Sequence, residues 1–413
     1  MTPEEAVRYV LSRELFGMRF GLDRMWRLMT ALGHPQRRFE SIHVVGTNGK
    51  SSTTRMIAAI LVAHGIRTGA YLSPHLVSYN ERIRIDDADL EPGAFAAAVT
   101  RAARAAELVD RSLPPGERVT QFELLTAAAY SELAARGVEV AVIEAGLGGR
   151  YDATNVIPSK VQVLTSVGLE HTRWLGPTIT DIANEKLAVV QEGSTLVLGS
   201  NLHPDAEAVA REIAAERRAR LIWAPADPGV ELGVPGAFQR RNFALARTAA
   251  DACLGQLDVA AVQAAADAVR VPGRLQLVGE CPLALLDGAH NPEGIKALVE
   301  SLPEVIGERQ PLIAVLSILD DKDAAAMLAT LLPSCHTLVL TSSQNPRALP
   351  PPTLLSLSSQ VGGPPGEIVP EPRAAIERAR ELAGAGGAVL ATGSIYLVAD
   401  LLRPLAAGRA SML

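Results

Sequence analysis

A strand, a glycine-containing loop and a helix follow one another without interruption early in the chain. The apolar run 41–45 leads directly into the segment 46–52, Gly-Thr-Asn-Gly-Lys-Ser-Ser, and an apolar helical pattern begins at once. Glycines let backbone N–H groups surround phosphate oxygens, the helix N-terminus adds positive potential, and the lysine reaches the β and γ phosphates. The arrangement predicts a bound nucleoside triphosphate. Only its Gly-Lys-Ser end fits the general Walker spacing, because Val44 stands where that motif has glycine, so an ordinary strand-to-helix turn is the alternative.

Short apolar runs alternate with alanine-rich helical stretches through most of the sequence. This alternation is typical of parallel strands joined by crossover helices, so an α/β fold is predicted. Predicted strands cover 41–45, 67–72, 138–143, 160–166 and 195–198 in a first series, and 283–286, 312–316, 337–340 and 388–390 in a second. Predicted helices cover 52–64, 92–109, 122–136 and 179–191.

The length of 413 residues is too great for one comfortable hydrophobic core, so we expect two domains. The Pro-Gly pair at 272–273 breaks an alanine-rich helical stretch and suits a linker. The predicted domains are therefore 1–271, which contains the phosphate loop, and 275–413, a smaller doubly wound sheet. The glycine- and proline-rich segment 362–366 is interpreted as an exposed loop.

Composition excludes several classes of protein. Hydrophobic residues make up 48% and charged residues 20%, which is the balance of a folded protein, and the net charge of −6 gives no basic surface for nucleic acid. Charged residues interrupt the first thirty positions, and no later run reaches the ~18 apolar residues of a membrane helix, so a cytoplasmic location without membrane contact is expected. Three widely spaced cysteines, Cys253, Cys281 and Cys335, are interpreted as core thiols.

Several strings in the chain resemble the Mur ligase superfamily, and its folate branch in particular. Besides the loop at 46–50, they are Ser-Pro-His-Leu at 73–76, Asn-Glu-Arg-Ile at 80–83, the glycine-rich run 144–155, and Asp-Gly-Ala-His-Asn-Pro at 287–292. The resemblance implies a P-loop ATPase domain with a mostly parallel sheet, a smaller Rossmann-like C-terminal domain, and an active site between them. Cell-wall ligases carry a UDP-sugar-binding domain ahead of the loop; only 45 residues precede Gly46 here, which favours the folate branch.

The resemblance also implies a set of residues for ATP and divalent metal. Those it assigns to ATP are Thr47, Asn48, Gly49, Lys50, Ser51, Asn242, Arg274 and Asp287. Those it assigns to magnesium are Ser73, Glu144 and His171, and the last two follow predicted strands at the edge where open α/β sheets bind ligands. Lys186 matches a lysine that is carbamylated in the family and would hold a second divalent ion, although Ala188 and Glu170 depart from the family pattern nearby.

The substrates that the resemblance implies are L-glutamate and a pterin-linked carboxylate, dihydropteroate or a reduced folate, joined through an acyl phosphate. Lys50, Lys186 and His290 are the expected catalytic residues, and His290 is also a candidate for the glutamate site. The segments expected to line the pterin pocket contain Phe122, Glu123, Leu124, Leu125, Tyr151, Asp152 and Ala153. A helical core-facing stripe is the alternative for Phe122 and Leu125. We expect a monomer.

Three other functions share parts of this pattern. A cell-wall amino-acid ligase shares the chemistry, a P-loop kinase or GTPase shares the nucleotide site, and a regulator could bind a nucleotide without catalysis. The strings at 73–76 and 287–292 argue against the kinase, and the joint presence of Lys50, Glu144 and His171 argues against the regulator. Within the folate branch, extension of folates alone is an alternative to both additions.

Overall fold

The computed structural model describes residues 1–13 and 21–404; residues 14–20 of the predicted first domain and 405–413 of the predicted second domain lie outside the described residues. In the described part, the chain forms an eight-stranded sheet followed by a six-stranded sheet, both mostly parallel. The predicted α/β class with two sheets is therefore confirmed. The sheets lie on either side of 272–274, which we retain as the proposed domain boundary.

The first sheet has the strand order β4-β3-β2-β5-β1-β6-β7-β8. Its strands are β1 (Glu40–Val45), β2 (Thr68–Tyr71), β3 (Ile83–Ile85), β4 (Ala88–Asp89), β5 (Val140–Glu144), β6 (Val161–Leu164), β7 (Thr195–Leu198) and β8 (Arg220–Trp223). All pairings are parallel except those of β3 with β2 and with β4. The strand that precedes the glycine loop, β1, is thus central, between β5 and β6.

Helices cover both faces of this sheet. They are α1 (Pro3–Leu11), α2 (Asp23–Ala31), α3 (Lys50–Ala63), α4 (Pro92–Asp110), α5 (Gln121–Ala135), α6 (Thr172–Leu175), α7 (Ile179–Leu187), α8 (Pro204–Glu216), α9 (Ala237–Leu254) and α10 (Val259–Ala268), with 3₁₀ turns at Pro35–Arg37 and Tyr79–Arg82. Alternate residues of β5 point to opposite cores: Ile143 packs with α4 and α5, and Val142 packs with α3 and α9. Burial on both faces explains the continuous apolar runs.

The second sheet has the order β13-β12-β11-β14-β10-β9. Its strands are β9 (Gln276–Glu280), β10 (Leu283–Leu286), β11 (Leu312–Leu316), β12 (Thr337–Leu340), β13 (Gly366–Ile368) and β14 (Ala388–Thr392), and β9 alone of these is antiparallel to its neighbour. Its helices are α11 (Pro292–Ile306), α12 (Ala324–Leu331), α13 (Pro351–Gln360), α14 (Pro372–Ala383) and α15 (Ile395–Leu402), with a 3₁₀ turn at Leu332–Ser334.

The structure corrects three details of the sequence analysis. The helix predicted at 179–191 ends at Leu187, because Val189 and Val190 turn into a buried cluster instead of continuing the helical face. The predicted loop at 362–366 ends in a strand, since Gly366 opens β13. The interpretation of all three cysteines as core thiols is wrong: Cys335 is buried, but Cys253 is half-buried and Cys281 is exposed in the turn between β9 and β10.

The two domains meet around the linker. Leu76, from the loop after β2, packs into the apolar cluster that contains Leu286 and Val398 of the second domain. Gly273 has a φ of +69°, and a Cβ there would lie 3.0 Å from Val398 Cγ1 and 3.3 Å from Leu76 Cδ1, so the linker needs glycine at this point. Within the described part of the chain, no helix is both long and apolar enough to span a membrane.

Candidate active site

The glycines of the segment 46–52 are required by its conformation. Gly46 and Gly49 have φ values of +151° and +85°. A Cβ on Gly46 would collide with Thr165, and one on Gly49 would lie 2.7 Å from Asn242 Oδ1. The helix α3 begins at Lys50, so the loop amides lie at its N-terminus, where an anion is favoured. The predicted phosphate-binding geometry is present.

Two lysines converge on one carbonyl oxygen of this loop. Lys50 Nζ donates to Gly46 O at 2.9 Å and to Thr47 O at 3.1 Å, and Lys186 Nζ donates to Gly46 O at 2.9 Å. Lys186 is buried, and burial, reinforced by the charge of Lys50, lowers its pKa to about 7. A lysine with that pKa is largely a neutral amine just above neutrality, and the neutral amine is the form that reacts with carbon dioxide to give a carbamate.

Glu144 ends β5 opposite Val44, directly beside the loop. Its Oε1 accepts a hydrogen bond from Ser51 Oγ at 2.7 Å, and its Oε2 accepts from Ser73 N at 3.0 Å. Burial raises the pKa of the carboxyl group, whereas Lys50 opposes that rise. The buried Ser73 Oγ has no hydrogen-bond partner among the described residues. A carboxylate beside an unpartnered hydroxyl supplies the oxygen ligands that magnesium prefers, so these residues fit the ion.

His171 lies in the same electrostatic environment, in the loop after β6. Its φ is +53°, and 41% of its side chain is exposed; partial burial and the charges of Lys322, Lys50 and Lys186 lower the pKa of the imidazole to about 4, against the opposing charge of Glu170. The ring is therefore neutral at pH 7 and available as a ligand. Residues 1–13 and 21–404 contain no group of three His, Cys, Asp or Glu side chains placed to hold a metal, so the candidate set is a mixed one of hydroxyl, carboxylate and imidazole.

Asp287, directly after β10, lies close to Arg274, which precedes β9. Asp287 is buried and accepts hydrogen bonds from Leu275 N and Ala289 N, each at 2.8 Å. Burial raises its pKa, and the charge of Arg274 opposes that rise. Arg274 also stabilises the charge of Glu144 in the first domain. The charge of Arg274 therefore acts on carboxylates of both domains, and its contact with ATP stays a prediction.

Asn242 lies on the other side of the loop, near the start of α9. Its Oδ1 faces Gly49, and its Nδ2 donates to Gln239 Oε1 at 3.1 Å. A hydrogen bond joins Thr47 to Gly168: Thr47 Oγ1 accepts from Gly168 N at 3.1 Å. These contacts place Asn242 and Thr47, both predicted to bind ATP, at the glycine loop.

Glu170 joins the two domains beside His171, one of the candidate metal ligands. Its Oε1 lies 3.0 Å from Lys322 Nζ, 3.4 Å from His290 Nε2 and 3.9 Å from His171 Nε2. Burial opposes ionisation, but the hydrogen bond and charge of His290 and the charge of Lys322 hold the pKa of Glu170 well below its usual value. Sequence reasoning missed Lys322. The pattern that could have indicated it is the charged run 320–323, a few residues after β11.

The segments predicted to line the pterin pocket divide into exposed and structural residues. Phe122 lies against Gly146 and Tyr71, beside the glycine-rich run. Tyr151 is 47% exposed, so its side chain is accessible. Leu124 and Leu125 are buried in the first core, which argues against direct contact between their side chains and a ligand. Among these four residues, Phe122 and Tyr151 are therefore the better candidates for side-chain contact with a pterin.

The two acidic residues of these segments have partners within the protein. Glu123 caps α5 through Thr120 and binds Arg24, with Arg24 Nε 2.9 Å from Glu123 Oε1. Asp152 Oδ2 accepts from Leu147 N at 2.7 Å, and its Oδ1 accepts from Thr154 N at 3.0 Å. Both carboxylates therefore order their own loops. Ala153 is buried beside them.

Arg82 is a second residue whose role sequence reasoning missed. It is fully buried, and its Nε donates to His75 Nδ1 at 3.0 Å. The Tyr71 hydroxyl lies close by, but neither terminal nitrogen of Arg82 makes a hydrogen bond of standard geometry with a described residue. The charge of the guanidinium also reaches the second domain, where it opposes the rise that burial causes in the pKa of Tyr396. An unsatisfied buried guanidinium in the cleft is a candidate carboxylate site.

Comparisons with known proteins agree with this geometry. Residues 273–395 match the family described as Mur ligase, glutamate ligase domain. The dihydrofolate synthase/folylpolyglutamate synthase of Mycobacterium tuberculosis is 35% identical over 410 residues, covering 88% of this chain and 84% of the relative. The structure of Mycobacterium tuberculosis folylpolyglutamate synthase complexed with ADP superposes with a TM-score of 0.89 at 32% identity, covering 97% of each chain. E. coli FolC in complex with DHPP and ADP gives 0.87 at 27% identity, again with 97% of each chain.

The two-domain fold, the glycine loop with Lys50, and the facing strand ends of the second domain define an ATP-dependent ligase of the Mur type. Within that class, the chain belongs to the dihydrofolate synthase/folylpolyglutamate synthase family.

Proposed function

We propose that one active site performs both reactions of this family: addition of L-glutamate to dihydropteroate, and addition of L-glutamate to the glutamate tail of reduced folates. The observation that carries this proposal is the convergence of Lys50, Lys186 and Glu144 at the phosphate loop, with Arg274 and Asn291 reaching the same place from the second domain. A nucleotide bound there has groups of both domains around its phosphates.

The first step activates the acceptor carboxylate. A carboxylate oxygen of the pterin substrate attacks the γ-phosphorus of ATP, the bond from that phosphorus to the β–γ bridging oxygen breaks, and ADP leaves. Lys50 and the loop amides stabilise the charge on the transferred group. Magnesium, when bound by Ser73, Glu144 and His171, would neutralise phosphate charge, and a carbamate on Lys186 would supply oxygen ligands for a second ion.

The second step forms the amide. The amine of glutamate attacks the acyl phosphate, the tetrahedral intermediate collapses, and inorganic phosphate leaves with a proton lost from the amine. His290 lies beside Glu170 at the cleft, and the two terminal nitrogens of Arg82 have no hydrogen bond of standard geometry, which supports a role for both residues in holding glutamate. Contact between the domains protects the acyl phosphate, because this intermediate hydrolyses in water.

Phe122 and Tyr151 are proposed to contact the pterin, and Asp152 and Ala153 to shape the turn beneath it. Phe122 lies so close to Gly146 that a Cβ there would be 2.6 Å from its ring, which fixes the ring beside the glycine-rich run. A flat aromatic substrate can stack on such a ring. Because both walls of the cleft come from one chain, a monomer is a complete catalytic unit.

Turnover with defined acceptors tests the proposal. The protein is incubated with ATP, magnesium and glutamate, and either dihydropteroate or a reduced folate is added. We expect phosphate release and a product one glutamate heavier with each acceptor. Release that ignores every pterin substrate would overturn the proposal, and turnover of reduced folate alone would restrict the chain to tail extension.

A further inference from the structure

A cavity of about 450 Å³ lies at the junction of the two domains. Its walls include Arg55 of α3, the loop residues Leu76 and Glu81, Arg84 of β3, Arg270 before the linker, and Leu402 of α15. We call it the hinge pocket. None of the residues proposed above to bind ATP, metal, pterin or glutamate lines it. Its volume is within the range of small-molecule sites.

The acidic groups around the hinge pocket already have partners. Glu81 accepts backbone hydrogen bonds from Leu76 N at 2.9 Å and from Val77 N at 2.8 Å. Asp87 and Asp89 both form ion pairs with Arg84. Each of these carboxylates is therefore held by a partner within the wall, and all three also act on Arg55 at longer range.

Two hydrogen-bond donors of the hinge pocket, in contrast, lack an acceptor in the described part of the chain. The Arg55 guanidinium has no hydrogen bond or ion pair with any residue in 1–13 or 21–404. Burial and the repulsion of Arg84 lower its pKa, and the longer-range attraction of Asp89, Asp87 and Glu81 opposes this fall only in part. Gln276 uses its Oε1 to accept from Gly273 N at 2.8 Å, which leaves its amide nitrogen as a donor. A half-buried cation without a hydrogen-bonded partner is costly, so the pocket favours an anion beside Arg55.

We propose that the hinge pocket binds a small ligand that carries a carboxylate or phosphate group, with that oxyanion paired to Arg55. A guanidinium offers the paired N–H groups that such anions accept. The pocket also has apolar walls at Leu76, Val77 and Leu402. A carboxylate on a short hydrocarbon chain fits this combination better than free phosphate, because it uses both the cation and the apolar wall.

Two elements connect the hinge pocket to the active site. Arg55 lies one helical turn beyond Ser51, whose hydroxyl donates to Glu144. Leu76 lies in the same loop as Ser73, whose N–H also donates to Glu144. Because the pocket is walled by both domains and the linker, a bound ligand stabilises the domain arrangement that closes around it. The ligand thus acts on the same loop and helix that position the proposed metal ligands.

Binding without turnover tests the proposal. Glutarate and inorganic phosphate are titrated separately by calorimetry at constant ionic strength into wild type, Arg55→Gln and Arg104→Gln; Arg104 is an exposed arginine of α4 and is the matched control. We expect saturable binding that Arg55→Gln weakens at least about tenfold and Arg104→Gln leaves unchanged. Tighter binding of glutarate identifies the carboxylate as the preferred group, and tighter binding of phosphate identifies the phosphate.

Lys50→Ala separates this site from the phosphate loop, where phosphate also has a place to bind. Binding that survives in Lys50→Ala and is lost in Arg55→Gln supports the hinge pocket, and the reverse pattern overturns it. Thermal unfolding of Arg55→Met in anion-free buffer is the control for folding. Removal of a half-buried charge that has no hydrogen-bonded partner should raise the midpoint, and a lower midpoint would overturn the claim that Arg55 lacks such a partner. None of these readouts needs the ligase reaction, so they remain informative if the proposed function fails.

Discussion

Asn48 and Asn291 exchange two hydrogen bonds across the domain cleft. Asn48 Nδ2 donates to Asn291 Oδ1 at 3.1 Å, and Asn291 Nδ2 donates to Asn48 Oδ1 at 3.0 Å. Asn48 belongs to the phosphate loop, whereas Asn291 is the N-cap of α11 and accepts from Gly294 N at 2.8 Å. The contact between the domains therefore lies at the nucleotide site itself, so closure and nucleotide binding are linked.

Asn291→Ser tests this link. Serine still caps a helix, but its side chain is too short to reach Asn48. Two neutral hydrogen bonds contribute about 0.5–1.5 kcal/mol each, so we expect the KM for ATP to rise about tenfold. Steady-state kinetics with varied ATP measure the change. Asp258→Ser, which alters the cap of α10 far from the cleft, is the control, and an equal KM in Asn291→Ser and wild type would contradict the link.

Glu144→Gln should remove activity and leave the fold intact. The side chain keeps its size, but the charge that would hold magnesium is lost, and an amide nitrogen would meet the N–H of Ser73. Loss of even an outer-shell partner costs about 10–100-fold in metal affinity, so kcat should fall at least ~100-fold at low magnesium. Glu139→Gln, on the exposed segment before β5, is the matched control. Wild-type turnover in Glu144→Gln would remove this residue from the metal site.

Lys186→Met should make the protein more stable and inactive. Burial lowers the pKa of Lys186 from 10.5 to about 7 in the folded protein. Between these values the unfolded chain binds more protons than the folded one, so this group makes stability rise with pH from about 7 to 10.5, and its full penalty applies below about 7. Methionine removes that penalty. Unfolding midpoints in metal-free, carbon-dioxide-free buffer should exceed wild type most below pH 7, and the difference should shrink as pH rises.

A uniform or opposite shift of these midpoints would contradict the low pKa of Lys186. The proposed carbamate has its own readout in the wild-type enzyme. Removal of carbon dioxide should lower activity, and bicarbonate should restore it, more readily above pH 7 because the neutral amine is then the main form. Bicarbonate without effect on stripped wild-type enzyme would argue against the carbamate.

Arg82→Gln should affect glutamate and spare ATP. The two unsatisfied terminal nitrogens of Arg82 are fully buried, and a charged hydrogen-bonded pair contributes up to about 3 kcal/mol, which corresponds to a change of about 100-fold. We expect the KM for glutamate to rise by that order while the KM for ATP is unchanged. Circular dichroism checks the fold. A rise in the KM for ATP with unchanged glutamate dependence would place Arg82 outside the glutamate site.

Sequence patterns predicted the parts of this fold that depend on long apolar runs. The nine predicted strands coincide with β1, β2, β5, β6, β7, β10, β11, β12 and β14, because strands buried on both faces are continuous in apolar residues. The missed strands are short or lie at a sheet edge. β3 and β4 have Arg84 and Asp89 facing the hinge pocket, and their polar sequence gives no strand signal.

The phosphate loop was predictable for a related reason: the positive φ of Gly46 and the position of Lys50 at the start of α3 follow from the local sequence. Contacts between distant residues were not. Arg82, Lys322 and the pair Asn48–Asn291 gain their roles from the way the second domain packs on the first, which no local pattern records. The same limit applies to Glu123 and Leu124, which the family resemblance assigned to the pterin pocket. In the structure, Glu123 caps α5 and Leu124 lies in the first core.

The fate of a carboxylate oxygen tests the central claim most directly. Dihydropteroate labelled with ¹⁸O in its carboxyl group is turned over with unlabelled ATP and glutamate, and the released phosphate is analysed by mass spectrometry. Transfer of the γ-phosphoryl group to the carboxylate at the Lys50–Glu144 site predicts one ¹⁸O atom in each phosphate released. Phosphate that leaves without label, at the same rate as amide formation, would contradict the acyl phosphate and the site built around it.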